Sequence, residues 1–504
     1  VETIGYLIEG FNTVLAFPYI FYIILGVTIG MIVGALPGVG AVSGTAILLP
    51  LTYGMDLTGS LIVLCGIYYG TMYGNTITAV MLNIPGTSAS VITAIDGYEM
   101  NKQGRAGAAI GMATFSSFIG ATISLIFLIF LSSIIAQWAV GFGAPEYFSL
   151  ILLGLLLVSG LTGKHPVKGF LMMGIGLFIG TIGVDLITGE QRYTLDNIYL
   201  IDGIELVAVL VGLFGFSEVL NNVINKFNIG DSYSKQVNIK KMFPNIKEWK
   251  SSLPTISRST IVGFLIGVLP GAGATIATVF SYSIEKKVSK NRDNFGKGAI
   301  EGVASAESAN NSAVNGALIP MLTLGIPGSA VTAVLLGAFI MFGVRPGPQL
   351  YENQSDVIWS LFASMYVGNF VLLLLSILTI PLFLYLLVLS KNILQPLVAV
   401  LCIIGVYALN NSMFDVWVML LFGLLGFILK RFEFPLLPLV LGFILMPIAE
   451  TSLRQSLLMS GYDFMIFIER PTSLVLLIIA LLYILATIIS NIIKSKKSKM
   501  NMDG

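Results

Sequence analysis

Between Gly298 and Pro348 an otherwise lipid-like chain turns small and polar. Ser305, Glu307, Ser308, Asn310, Asn311, Ser312 and Asn315 follow closely, and the chain then breaks at Ile326-Pro327-Gly328-Ser329. A reduced counterpart runs from Gly66 to Gly97, with Asn75 and Thr76 ahead of a break at Ile84-Pro85-Gly86-Thr87-Ser88. The asparagines offer neutral oxygen and amide ligands, and Glu307 can carry a coupling proton or help to bind a cation. At membrane depth such side chains and breaks are costly unless they line a cavity or a binding site. Interrupted hydrophobic segments in matching places of two halves point to the binding site of a secondary transporter.

Proline has no backbone N–H to donate, and glycine tolerates positive φ. The Ile-Pro-Gly breaks, and the Leu-Pro-Gly-x-Gly runs at Leu36–Gly40 and Leu269–Gly273, therefore read as helix interruptions. Each resuming helix starts with free N–H groups and partial positive charge, which suits a carboxylate. Each preceding half-helix ends in free carbonyls, which suit Na⁺. The expected substrate-binding residues are Asn75, Thr76, Pro85, Gly86, Thr87, Ser88, Asn310, Asn311, Asn315, Pro327, Gly328 and Ser329. Those expected at ion coupling are Glu307, Gly38, Gly40, Gly271 and Gly273, with Na⁺ or H⁺ as the ion and the ligands of any Na⁺ site open. Alternatives stand beside these readings. A Pro-Gly can be a packing kink, an asparagine can be interhelical glue, and Glu301 or Glu307 can sit at a solvated helix entrance. Arg345 reads as an interfacial anchor and Asp96 as a helix-end group.

The 504 residues are 56% hydrophobic and 11% charged, against roughly 25% charged in an ordinary soluble domain. Runs such as Phe370–Leu389 and Leu474–Ile493 are long enough to cross about 30 Å of hydrocarbon. The expected fold is an all-α polytopic membrane protein with inverted-topology repeats, re-entrant hairpins and broken helices. Cys65 and Cys402 offer neither a disulfide framework nor zinc spacing, and the one histidine, His165, reads as a solvated loop residue. A metallo-, Ser/His or paired-Asp intramembrane enzyme lacks its motifs, as does a P-loop ATPase. The N-terminal residues show no basic region or cleavage site of a signal peptide.

The two halves carry their motifs in the same order. This gives an N-terminal transmembrane repeat at 1–220, a basic cytoplasmic linker at 221–258, a C-terminal repeat with extra helices at 259–493 and a basic cytoplasmic tail at 494–504. Lys and Arg bias places the linker, the tail and the loop around Lys290 inside, and the loop around Glu190 outside. That assignment holds if 14–53 and 259–285 are re-entrant hairpins opening to opposite sides, with about eleven crossings in all. Val14–Leu36 is long enough to cross fully, which would change the count by one and move the N-terminus to the cytoplasm.

These motifs resemble the large membrane subunit of the tripartite tricarboxylate transporters. The resemblance rests on LPGVG at 36–40, GIYYGTMYG at 66–74, LNIPG at 82–86 and AIDGYEMNKQGRAG at 94–107. In the second half it rests on GVLPGAGATIA at 267–277, FGKGAIEGVASAESANN at 295–311 and LIPMLTLGIPGSA at 318–330. It implies a multi-pass subunit of the bacterial inner membrane, in contact with lipid. It also implies partnership with a small four-helix membrane subunit and a periplasmic substrate-binding protein, and no nucleic acid. The implied activity is ion-gradient-driven import of citrate or another tri- or dicarboxylate, and the protein would not be an enzyme. The alternative is an anion channel or a transporter of a non-carboxylate small anion.

Overall fold

The computed structural model describes residues 2–36, 40–83, 85–161, 166–185, 187–224, 243–386 and 391–500. Gly38, His165 and residues 225–242 of the basic linker, Lys240 included, lie outside the described residues.

The chain opens with α1 (Glu2–Leu15) and α2 (Tyr19–Ala35), bent 78° to each other. Beyond the first LPGxG run, α3 (Ala41–Leu48) folds back on α2, with Gly44 set against Val33. Helix α4 (Leu57–Leu82) begins where the Asp56 carboxylate caps the Gly59 N–H at 3.2 Å, and it ends at Asn83 in the left-handed region. After the Pro85-Gly86 break come α5 (Ser90–Lys102) and the long α6 (Ala106–Ala139). Then follow α7 (Ala144–Leu161), α8 (Pro166–Ile179) and a small hairpin of β1 (Gly183–Val184) with β2 (Gln191–Arg192). Helix α9 (Leu206–Leu210), a π-helical stretch at Val211–Phe216 and α10 (Ser217–Ile224) form one apolar rod.

The same order then recurs. An Asn245–Glu248 capping box starts α11 (Ile246–Val268). The second LPGxG run leads into α12 (Gly273–Val288), followed by α13 (Ile300–Leu324), the IPGS break and α14 (Ala330–Met341). After the short α15 (Pro348–Asn353) comes the long α16 (Ser355–Leu386). Thus α11, α12, α13, α14 and α16 follow the pattern of α2, α3, α4, α5 and α6. The chain closes with α17 (Lys391–Asn410), α18 (Met413–Arg431), α19 (Leu436–Met459), α20 (Ile466–Glu469) and α21 (Pro471–Met500).

Five helices among the described residues are long and apolar enough to cross a membrane, or six if α1 and α2 count as one bent span. Large side chains such as Phe130 and Ile134 on α6, and Trp417 and Leu421 on α18, face outward. An apolar outer surface of this kind suits lipid. The protein is an all-α, multi-pass membrane protein.

The chain forms two compact units, residues 1–137 with 207–427, and residues 138–206 with 428–504. The core of the first unit is two tight helix pairs. A methyl group built on Gly26, Gly30 or Gly34 of α2 would lie 2.3–2.5 Å from the Val63, Ile67 or Thr71 carbonyl oxygen of α4. Gly70 and Gly74 of α4 are equally close to the α2 backbone. Gly263 and Gly267 of α11 meet the Ala309 and Ala313 carbonyls of α13, and Gly316 meets Phe264. Lipid gives no hydrophobic drive between helices, so close backbone approach through small residues is what holds such pairs. These pairings bury α4 on all sides from Gly59 to Met81, and α13 from Ile300 to Thr323. Helix α1 packs on α16, where Tyr6 stacks on Trp359 and Gly10 sits against the Trp359 carbonyl.

In the second unit α8 and α19 interlock through Gly176 and Gly442. At one end of that pair Asp185, Arg192, Glu450 and Arg454 form a network. Arg454 meets Asp185 at 2.9 Å and Glu450 at 2.6 Å, while Arg192 bridges Glu450 at 2.8 Å. The Ile187 backbone N–H, with Thr188, Arg454 and Arg192 beside it, lowers the Asp185 carboxyl from its ordinary 3.8 to about 2.

Candidate functional site

Each Ile-Pro-Gly break ends in the same local device. Thr87 and Ser90 bond each other reciprocally, backbone to side chain in both directions. Ser329 and Thr332 do the same at the start of α14. Such a reciprocal box satisfies N–H groups that a broken helix would leave open. The Thr87 and Ser329 hydroxyls are therefore engaged in capping, and Ser88 is exposed.

The two kinds of break meet within each half. In the second half the Gly271 N–H donates to the Gly328 carbonyl at 3.0 Å. Gly271 and Gly273 have φ of 84° and 59°, so the LPGxG glycines make the turn that sets up this bond. In the first half Gly40 lies against Gly86 and Thr87. Pro327 and Gly328 are buried, and Gly328 packs on Ala317 of α13. At the matching place of the first half Gly86 packs on Asn75 of α4, and a methyl built on Gly86 would lie 1.6 Å from Asn75 Oδ1. One break is thus backed by the helix backbone at Ala317 and the other by an amide oxygen.

Glu307, Asn311 and Asn315 are spaced four apart, so they share one face of α13. Glu307 is fully buried and accepts three hydroxyl hydrogen bonds. Thr76 of α4 donates to Oε1 at 2.8 Å, Thr93 of α5 donates to Oε1 at 2.6 Å, and Ser117 of α6 donates to Oε2 at 3.0 Å. Among the described residues no salt bridge reaches it. One turn on, the Asn311 amide donates to Ser117 Oγ at 2.8 Å and to the Glu307 carbonyl at 3.1 Å. A further turn on, the Asn315 amide donates to the Ala121 carbonyl and to Ser124 Oγ, and its oxygen accepts from the Tyr69 hydroxyl.

The four asparagines differ in what they leave open. Asn315 is satisfied at both ends. Asn311 Oδ1 and Asn75 Oδ1 are buried without a partner, although their amide nitrogens are bonded. Asn310 is 1% exposed, and neither its oxygen nor its nitrogen has a partner. An unpaired buried polar atom costs about 1–3 kcal/mol. Asn310 carries two such atoms, more than any other residue in this cluster.

Sequence reading missed Thr93, Ser117, Ser124 and Tyr69. Ser117 and Ser124 stand in a long apolar run, and polar residues inside a span are a signal. Tyr69 gave none, because a buried tyrosine in an apolar helix reads as core. Asp96 differs from its expected helix-end place. It lies within α5, fully buried, and caps the start of α13 from outside. Its Oδ1 accepts from the Gly296, Gly298 and Ala299 N–H groups at 2.8–2.9 Å, and Oδ2 accepts from Tyr282 at 2.7 Å. Glu301, in the first turn of α13, accepts from Asn291 at 2.6 Å, and Arg345 is exposed.

Residues 20–441 match the model of a family described as the tripartite tricarboxylate transporter TctA family. The chain belongs to that family. The matched stretch runs from α2 into α19 and contains every residue of the cluster described above. An uncharacterized 52.8 kDa protein from the TAR-I ttuC' 3' region of Agrobacterium vitis is 39% identical over 502 residues, covering 99% of each chain. An uncharacterized protein from the TAR-II ttuC' 3' region of the same organism is 41% identical over 238 residues, covering 47% of this chain and 98% of the relative. An uncharacterized protein of Methanocaldococcus jannaschii is 25% identical over 281 residues, covering 54% of this chain and 63% of the relative. No solved structure matches the chain. As a TctA-family protein it is a tricarboxylate-transporter subunit.

Proposed function

We propose that the protein imports a citrate-like tri- or dicarboxylate across the bacterial inner membrane, driven by a Na⁺ or H⁺ gradient. A periplasmic binding protein delivers the substrate, and a small four-helix membrane subunit completes the transporter. The observation that carries this reading is the Asn310 amide, buried with both ends unpartnered one turn from the Glu307 carboxylate. An amide N–H suits a substrate carboxylate, and the positive N-terminal ends of the break helices α5 and α14 would suit the same group. Glu307 would repel an anion unless a cation or proton neutralised it, which makes substrate binding depend on the coupling ion.

The repeated helix order supports two inverted repeats at 1–220 and 259–493, joined by the cytoplasmic linker 221–258 and followed by the tail 494–504. The α2–α3 and α11–α12 hairpins are then re-entrant, with about eleven crossings overall. Gly40, Gly271 and Gly273 shape the hairpin tips at which helix carbonyls would meet the ion, and Gly38, expected beside them, lies outside the described residues.

The test is uptake into proteoliposomes containing the membrane subunits, with the binding protein outside, across a panel of carboxylates. Saturable accumulation that follows an imposed Na⁺ or H⁺ gradient is expected. Flux that is unsaturable and indifferent to the gradient would establish the channel alternative.

A further inference from the structure

Glu307 poses a charge problem to which the oxygen atoms around it offer an answer. Its carboxylate is fully buried, and its bonded partners are three neutral hydroxyls from three helices. A buried anion without a counter-charge is costly. Around it stand the two carboxylate oxygens and the Thr76, Thr93 and Ser117 hydroxyl oxygens. The Asn311 amide is oriented by its bond to the Glu307 carbonyl, which can only accept, so Nδ2 is fixed there and Oδ1 is the free end. That Oδ1 is buried without a partner, on the side chain whose Nδ2 bonds Ser117, the hydroxyl that also serves Glu307. Hydroxyl hydrogens rotate, so each hydroxyl oxygen can turn a lone pair to a cation. The ligands are all oxygen, the chemistry of hard cations. Among the described residues no three His, Cys, Asp or Glu side chains gather as a metal site. One carboxylate balances one positive charge, whereas a divalent ion would leave a buried net charge.

We infer that Glu307, Thr76, Thr93, Ser117 and Asn311 Oδ1 form a dehydrated Na⁺ site. It draws α4, α5, α6 and α13 together. The inference rests on the reading of Glu307 as the coupling group and names the ion and its ligands. With Na⁺ bound, the α13 face next to Asn310 is neutral and can receive an anion. Without it, the carboxylate repels the anion.

The test is direct binding of radioactive Na⁺ to the purified full chain in detergent at fixed pH, with melting temperature followed in NaCl and in choline chloride. One ion per chain is expected, together with a higher melting temperature in Na⁺ than in choline. Glu307→Gln should weaken binding at least tenfold while the protein still elutes as a folded species. Thr93→Val, which keeps the carboxylate and the side-chain shape, should weaken it less. Glu307→Asp should retain measurable binding. Ca²⁺ at equal concentration should not displace Na⁺. Three results would each overturn the site: unchanged binding in Glu307→Gln, effective competition by Ca²⁺, or a wild-type protein that responds to pH but not to Na⁺. The last result would leave gradient-driven uptake intact with H⁺ as the ion, so the inference can fail while the transporter reading stands.

Discussion

The four asparagines had equal standing in the sequence, and their hydrogen bonds separate them. Asn315 joins α13 to α4 and α6 through Tyr69, Ala121 and Ser124. Its replacement strands the Tyr69 hydroxyl inside the protein, whereas the Ala121 carbonyl keeps the Ser124 hydroxyl at 3.1 Å. Asn315→Ala should therefore lower stability by about 1–3 kcal/mol. It should reduce the amount of folded protein, with little change in the substrate concentration for half-maximal uptake. Asn310 has no partner to strand. Asn310→Ala should keep or raise the melting temperature and raise the half-saturation concentration severalfold. Melting curves paired with uptake kinetics check both, and a reversed pattern would exchange the two roles. The stripe at 307, 311 and 315 was legible because its polar residues stand out from apolar surroundings. The pairing of Glu307 with Thr93 and Ser117 was not, because what selects it is the crossing of α5 and α6 over α13, a tertiary fact that spacing along one helix does not contain.

At the scale of elements, the broken helices hold their geometry through glycine contacts. Gly86→Ala would drive a methyl into Asn75 Oδ1, since the built position lies 1.6 Å away. The variant should be poorly folded, and adding Asn75→Ala should recover stability. A coupling of about 0.5–3 kcal/mol is expected between neighbours of this kind, readable as the non-additivity of the melting shifts. The motifs announced these breaks, because Pro and Gly act locally. The bend between α1 and α2 was not announced. The first apolar segment read as starting near Val14, yet the polar-looking start of the chain forms a helix that rests on α16 through Tyr6 and Gly10. A second element-scale prediction concerns Asp185. Its carboxyl is lowered in the folded protein, so its contribution is present above the ordinary value of 3.8 and is lost as pH falls toward about 2. Asp185→Asn should melt below wild type at neutral pH, and the gap should close across that acid window. A constant gap would mean that the network with Arg454 and Arg192 does not depend on the charge of Asp185.

At the scale of the whole molecule, the account needs the two halves to enter the membrane with opposite orientation. Glu190 and Lys290 are both exposed. A single cysteine introduced at 190 should react with an impermeant reagent added outside intact cells, and one at 290 should react only after the cells are opened. Outside labelling at 290 would refute the re-entrant assignment of α11 and α12. The repeated order of helices was readable from Pro-Gly motifs alone. The packing of α2 on α4 and of α11 on α13 was not, although the glycines at 26, 30 and 34 mark one contact face in retrospect. The central claim is that the Glu307 face of α13 couples an ion to a carboxylate. The most direct measurement is accumulation of labelled carboxylate in proteoliposomes, with the ion gradient imposed or absent, for wild type and Glu307→Gln side by side. The account predicts that wild type concentrates the substrate only with the gradient, whereas Glu307→Gln at best equilibrates it and is indifferent to the gradient. Gradient-driven accumulation by Glu307→Gln at the wild-type rate and level would contradict it.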